Sequence, residues 1–535
     1  MEKHIRTFRF TGTGEQTEAI ADMLRAQGFR FEALPFHPDA MLLLEEPFPL
    51  GSSLAAKFGY IYIQDASSML PALALAKLIA ADAASASGPA ANGNELAVLD
   101  MCSSPGGKSS LLARALGAAR QDGAAPSGFV LANEPGVKRL GTLRRNLLGM
   151  NMLNSGTCSF GGESFPLPSA GTATSGTSAP GMTAHGTTAS CTASDDEAIF
   201  PGWDYILLDP PCSGWGTVEK NPQVLSLWQG DKVKPLVGLQ RMLLREAFRL
   251  LRPGGCLTYS TCTVNMQENE EQVRWALSEL DAEMGGGAVS LLPLENYAGF
   301  AFEAPWPDGA TDSSQAGQGA DCSGVLRVSM DSPLGQGFFI AALRKAEDAA
   351  PLPVTRKNSD ATSGSQSKKR ATGIGQKAGQ RSGYGSGQRG AGSGQGHGES
   401  GAVFLPPAAI EAPLVSASLL PPGQLAIQRG NLSFLPQAGV DILPESFKWD
   451  GYQLGKSTGE GSRPRLDTSV RALMPSAREA AARGADVLDV DDPAVVCALL
   501  SGQSLTFAAK GAEVGLYFKG LPLCRLKARG NRVFI

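Results

Sequence analysis

The chain has 535 residues, enough for two or three domains of ordinary size, and its 42% hydrophobic and 18% charged residues exclude a chain disordered throughout. A formal charge of -4 at pH 7 does not mark the whole surface as nucleic-acid-binding, so a basic face has to be sought locally. Nine cysteines, at 102, 158, 191, 212, 256, 262, 322, 497 and 524, are odd in number, scattered and without a CxxC pair, and only four histidines accompany them, so neither a disulfide framework nor a metal site is expected.

The start, "MEKHIRTFRF", lacks the apolar centre of a signal peptide, and no run of about 18 apolar residues follows anywhere. The expectation is a soluble cytoplasmic protein with no membrane partner. Residues 1–66 carry one helical stretch, "EQTEAIADMLRAQG", between two strand-like runs, and read as a small α/β appendage. From 67 to 345 short apolar runs alternate with helical stretches: "LAVLDM" then "GGKSSLLARALGAA", "GFVLANE" then "KRLGTLRRNLLGM", "YILLDPP" then "KPLVGLQRMLLREAFRLL", and "GGCLTYS". Strands alternating with helices predict a doubly wound, mostly parallel sheet of the Rossmann-like kind, with ligands beyond the carboxyl ends of its strands. The run "GQGFFIAALRK" could close that sheet. Residues 163–198, rich in Ser, Thr, Ala and Gly, predict a flexible insertion; residues 346–401 predict a low-complexity linker, whose stretch 351–400 carries eight Lys or Arg against Asp360 and Glu399. Such a linker is a spacer or a tether for RNA phosphate. Residues 402–535 recover apolar patterning as a β-rich C-terminal domain.

Four loops carry the chemistry. In "LAVLDMCSSPGGKSSLLARAL" a strand ending in Asp100 meets a turn of small residues and a helix start near Gly107, which suits a nucleotide-like ligand held by backbone N–H groups. Neither GxxxxGK nor GxGxxG is present, which disfavours an NTP or a dinucleotide. The next strand end, "VLANEPGVKRL", sets Glu134 where an acid meets two ribose hydroxyls; the alternative is a solvated acid at a helix start, and Arg139 could be a surface charge.

The strand ends "LLDPPCSG" and "YSTCTV" then deliver Asp209 with Cys212, and Cys262. One cysteine is usually an inert small hydrophobe, but two at adjacent strand ends, one after a rigid Asp-Pro-Pro, ask for a chemistry. Methylation of a pyrimidine at carbon 5 supplies it: a thiolate adds to carbon 6, a carboxyl supports the shifting charge, and a second acid–base group assists elimination.

Together "LDMCSSPGGKSS", "LANEPGVKRLGTLRRNLLGMN", "LLDPPCSG" and "YSTCTVNMQENEE" resemble, in order and spacing, successive motifs of the RNA 5-methylcytosine methyltransferases of the NOL1/NOP2/Sun family, over residues 60 to 345. The resemblance implies S-adenosylmethionine as cofactor, contacted by Cys102, Ser103, Ser104, Pro105, Gly106, Gly107 and Lys108, by Glu134 with Arg139, and by Asp209. It implies Cys262 as nucleophile, Cys212 as the residue aiding release, and Asp209 as the supporting acid. A further acid common after the third strand is replaced here by Gly161 or Gly162, with Glu163 beside them. The segment "FKGLPLCRLKARGNRVFI" resembles the PUA-like RNA-binding tail of bacterial ribosomal RNA methyltransferases, and residues 1–66 would be a second RNA-binding appendage. The partner implied is RNA, ribosomal before transfer RNA, and the protein is expected to be a monomer without metal. Rival readings are a DNA-type enzyme in which Cys212 attacks, and a non-catalytic RNA-binding assembly factor.

Overall fold

A computed structural model describes residues 5–85, 88–89, 95–117, 127–167, 200, 202–218, 221–224, 230–304, 324–353, 402–428, 430–444, 447–457 and 464–535. Nearly all of the insertion expected at 163–198 and of the linker expected at 346–401 lies outside the described residues.

The N-terminal strands β1 (Thr7–Phe10), β2 (Arg30–Ala33), β3 (Ala40–Glu45) and β4 (Ile61–Ile63) form an antiparallel sheet in the order β2-β3-β1-β4, with α1 (Thr17–Ala26) and the single turn α2 (Leu54–Lys57) packed against it. The sequence reading found the helix and two of the four strands; the other two are short runs without strict alternation.

The main sheet uses β5 (Leu96–Asp100), β6 (Gly128–Asn133), β7 (Ser155–Cys158), β8 (Trp203–Leu208) and β9 (Leu251–Thr261) in the parallel order β7-β6-β5-β8-β9. Their residues are apolar on both faces, as a sheet covered on both sides demands. Val98, Val130 and Tyr205 pack toward α3 (Ala66–Ala84), α4 (Gly107–Gly117) and α5 (Val137–Gly149); Leu99, Leu131 and Ile206 pack toward α6 (Gly230–Leu250). Helix α3 is long and apolar enough to cross a membrane, yet ten of its residues are buried in this protein, several in the layer under the sheet. The sheet continues past β9 through four further strands, β10 (Val289–Leu291), β11 (Phe302–Glu303), β12 (Val325–Val328) and β13 (Phe338–Lys345): β13 runs antiparallel to β9 and pairs with β10 and β12, which leads on to β11. The chain goes from β5 to β6 on one side and returns to β8 on the other, so the crevice that such a reversal opens lies above β5 and β8.

Residues 402–535 form two sheets. Strands β14 (Val403–Leu405), β15 (Gly423–Gln428), β16 (Asn431–Pro436), β17 (Tyr452–Lys456) and β18 (Arg465–Leu466) make an antiparallel meander. Strands β19 (Val487–Val490), β20 (Leu505–Thr506), β21 (Glu513–Phe518), β22 (Leu521–Arg529) and β23 (Arg532–Phe534) make the second, in the order β19-β21-β22-β23-β20. The meander leans on the main sheet through Trp449 against Phe129, while the last sheet shares one apolar core with the N-terminal sheet.

Candidate active site

The loop after β5 is built from short, internally bonded residues. Ser103 donates its hydroxyl to the Asp100 carbonyl (2.7 Å) and its N–H to the Asn133 carbonyl (3.0 Å), and the Gly106 N–H closes the turn on Ser103 (2.7 Å). Gly106 has φ +104°, a conformation L side chains rarely adopt, so the turn needs glycine there. Asp100 is 1% exposed; Oδ2 accepts from Ser109 (2.6 Å), while Oδ1 is buried with no partner. Burial raises its carboxyl to about 6. Cys102 is also pushed up, by burial and by the surrounding carboxylates, so it is not a nucleophile at neutral pH.

Glu134 is buried; its Oε1 accepts from the Gly136 N–H (2.8 Å) and its Oε2 faces Arg139 Nε at 3.2 Å. Arg139 reaches on to the Ser104 carbonyl (3.1 Å), and Ser104 returns its hydroxyl to the Arg139 carbonyl (3.1 Å). The first two loops are thereby tied together, and Arg139 is a bridge between them as well as a surface charge.

Above β8 and β9 the two cysteines meet, with Sγ atoms 3.3 Å apart. Lys108 Nζ, from the first turn of α4, lies 2.7 Å from Asp209 Oδ2, and the Ser260 hydroxyl donates to Oδ1 (2.9 Å). Burial works against the charged ammonium, but the charge and hydrogen bond of Asp209, with Cys262 behind them, hold Lys108 above its usual pKa. The hydrogen bond from Cys212 lowers the Cys262 thiol, against burial and Asp209, and Lys108 adds to the lowering. Cys212 is raised in turn by that same hydrogen bond, by burial and by the neighbouring charges. The shared hydrogen bond thus favours ionisation at Cys262 over Cys212.

Three residues escaped the sequence reading. Glu268, fully buried, accepts from the Ser213 N–H (2.8 Å), the Ser213 hydroxyl and Gln240 Nε2 (3.1 Å), and so holds the Cys212 loop from behind. It stands in the acid-rich "ENEE" run, which reads in sequence as a helix start. Gly216 donates its N–H to the Cys262 carbonyl (3.0 Å), and a Cβ there would sit 2.1 Å from the Gly337 carbonyl, so the two thiol loops touch through glycine backbone. Arg9, fully buried in β1, donates to the Gly107 carbonyl (3.1 Å) and the Ser110 hydroxyl from beneath the first loop. Gly161 and Gly162 stand just beyond β7, with Glu163 close by.

Loops converging at the reversal of a parallel sheet, with an antiparallel strand beside β9, are the arrangement of a Rossmann-like methyltransferase fold. In sequence, residues 179–291, which include Asp209 and both thiols, match the model of the family described as 16S rRNA methyltransferase RsmB/F. The chain is 32% identical over 352 residues to "Ribosomal RNA small subunit methyltransferase F" of Cronobacter sakazakii, covering 65% of this chain and 58% of that one. To the protein of the same name in Salmonella agona it is 34% identical over 314 residues, 58% of this chain and 50% of that one. The chain thus spans little more than half the length of the curated relatives it matches. Among solved structures, a methyltransferase homolog protein from Pyrococcus horikoshii aligns at 28% identity and TM-score 0.44, over 64% of this chain and 88% of that one. The resemblance drawn from the four motifs is the one these comparisons return.

The methyl donor of the matched family is S-adenosylmethionine. The residues present fit it: a turn of small residues that only glycine allows at Gly106, a buried Asp100 oxygen without a partner among the described residues, and the buried Glu134 carboxylate.

Proposed function

We propose that the protein methylates carbon 5 of a cytidine in RNA, small-subunit ribosomal RNA being the substrate, with S-adenosylmethionine held above β5 and β6. The observation that carries the reading is the thiol pair: two sulfurs at 3.3 Å, one lowered and one raised in pKa. The bound cofactor supplies an electrophilic methyl group. Cys102 to Lys108 line its site, and Glu134, steadied by Arg139, faces the ribose.

A cytidine reaches the thiols only when unstacked from its neighbours. Cys262 Sγ adds to carbon 6, which moves electron density to carbon 5 and lets that carbon take the methyl group. Asp209, fixed by Lys108 and Ser260, supports the charge that shifts onto N3 and the exocyclic amine. Once Cys262 is a thioether it no longer carries the charge that opposed ionisation of Cys212, and Cys212 gives up its own proton to solvent. The Cys212 thiolate so released then takes the carbon 5 proton, and the carbon–sulfur bond breaks to return Cys262 as thiolate. RNA grip from residues 1–66 and from a PUA-like segment within 402–535 completes the reading, for a monomer that needs no metal.

The test is methyl transfer from labelled S-adenosylmethionine to small-subunit ribosomal RNA and to transfer RNA, followed by digestion to nucleosides. Label in 5-methylcytidine from ribosomal RNA is the expected result. Label only in transfer RNA would reassign the substrate, and label in any other nucleoside would remove the chemistry.

A further inference from the structure

A cleft of about 1250 Å³ opens between α5 with the end of β7 and the meander β14–β18. None of its lining residues belongs to the loops after β5, β8 or β9, so it is a second feature, separate from the thiols. Two cations stand on it, Arg145 from α5 and Lys448 from the approach to β17, both exposed and neither with a carboxylate partner among the described residues. Arg144 also lines it but is engaged by Asp450.

The meander's own faces divide by strand alternation. Leu425, Leu432, Phe434 and Leu454 point into its core. The other face carries Gln428, Asn431, Ser433 and Gln453, all lining the cleft, with Asn431 opposite Gln428 and Gln453 opposite Ser433 across the strands. Ala402 lines the cleft; just past that lining, Phe404 pairs with Ala426 on the face of Gln428 and is 58% exposed. An exposed aromatic ring, a row of amides and a hydroxyl, and two unpaired cations are what a single strand of RNA uses: a face to stack a base, donors and acceptors for base edges, and charge for phosphate. A self-occupant is disfavoured, because the segment leading to Ala402 (residues 354–401) carries eight Lys or Arg against two acids, the same sign as the cleft.

We propose that this cleft holds a single-stranded segment of the substrate RNA, with a base on Phe404 and phosphates on Arg145 and Lys448. The inference rests on the reading that the protein acts on RNA. The test is filter binding of in-vitro transcribed small-subunit ribosomal RNA across a salt series by the whole chain, the Phe404→Ala variant and the Arg145→Gln/Lys448→Gln variant. Phe404→Ala should weaken binding about tenfold or more with the salt slope unchanged. The double neutralisation should weaken it at low salt and make the slope of log K against log salt shallower by about 1.4 to 1.8. Methyl transfer at saturating RNA should keep its rate in both, and so should the melting temperature, since all three side chains are exposed. If the wild-type chain binds and both variants match it in affinity and slope, the cleft is not an RNA site and the proposed function stands. If the wild-type chain binds no RNA, both fall.

Discussion

Cys262 and Cys212 are the same residue type 3.3 Å apart, and what separates their roles is their surroundings. Asp209 raises both; Lys108 lowers Cys262 and Glu268 raises Cys212, while the hydrogen bond between them lowers Cys262 and raises Cys212. A thiol lowered in pKa attacks as thiolate down to a lower pH, so the sign is simple: the single-turnover rate falls as pH drops through the lowered pKa, and it does so at a lower pH than for an unperturbed thiol. Lys108→Gln removes one lowering charge and should move the midpoint of that profile to higher pH; a profile in the same place as wild type would leave the ammonium no part in activating Cys262. Both thiols were legible in sequence because they follow apolar strand runs at motif spacing. The Lys108–Asp209 pair was not, because its 101-residue separation closes only when α4 and β8 are neighbours.

At the scale of elements, Glu268 joins the loop after β8, helix α6 through Gln240, and the turn after β9. A glutamine would keep the shape but turn its amide toward donors, leaving the Ser213 N–H or hydroxyl unpaired at a cost of about 1–3 kcal/mol. Glu268→Gln should therefore lower turnover about tenfold or more and lengthen the life of the protein–RNA adduct, because Cys212 is held less well than Cys262. Equal loss of adduct formation and adduct resolution would mark a general structural fault. Alternation of strand and helix announced β5, β6, β8 and β9 as parallel strands but neither β7 nor their order, and the outer strands β10 and β11 have three and two residues, too short for periodicity to register. Residues 402–535 read as one β-rich unit because local pattern does not say which strands share a sheet.

At the scale of the molecule, the last sheet and the N-terminal sheet share a core although they lie at opposite ends of the chain. Arg471 fastens that arrangement: buried, and 3.8 Å above the Tyr60 ring, it donates to the carbonyls of Phe58 (2.6 Å), Gly59 (3.0 Å) and Gly149 (2.7 Å), joining three parts of the fold. Arg471→Ala should cost about 3 kcal/mol of stability, read as a lowered denaturation midpoint, while the thiol chemistry at 25 °C persists.

The central claim is that Cys262 makes the bond to the base and Cys212 helps undo it. Wild type, Cys262→Ala and Cys212→Ala would be incubated with S-adenosylmethionine and small-subunit ribosomal RNA and run on a denaturing gel. The account predicts an RNA-shifted band that accumulates in Cys212→Ala, and neither adduct nor methyl transfer in Cys262→Ala. Activity retained by Cys262→Ala with a dead Cys212→Ala would contradict it and make the cysteine after the prolines the nucleophile.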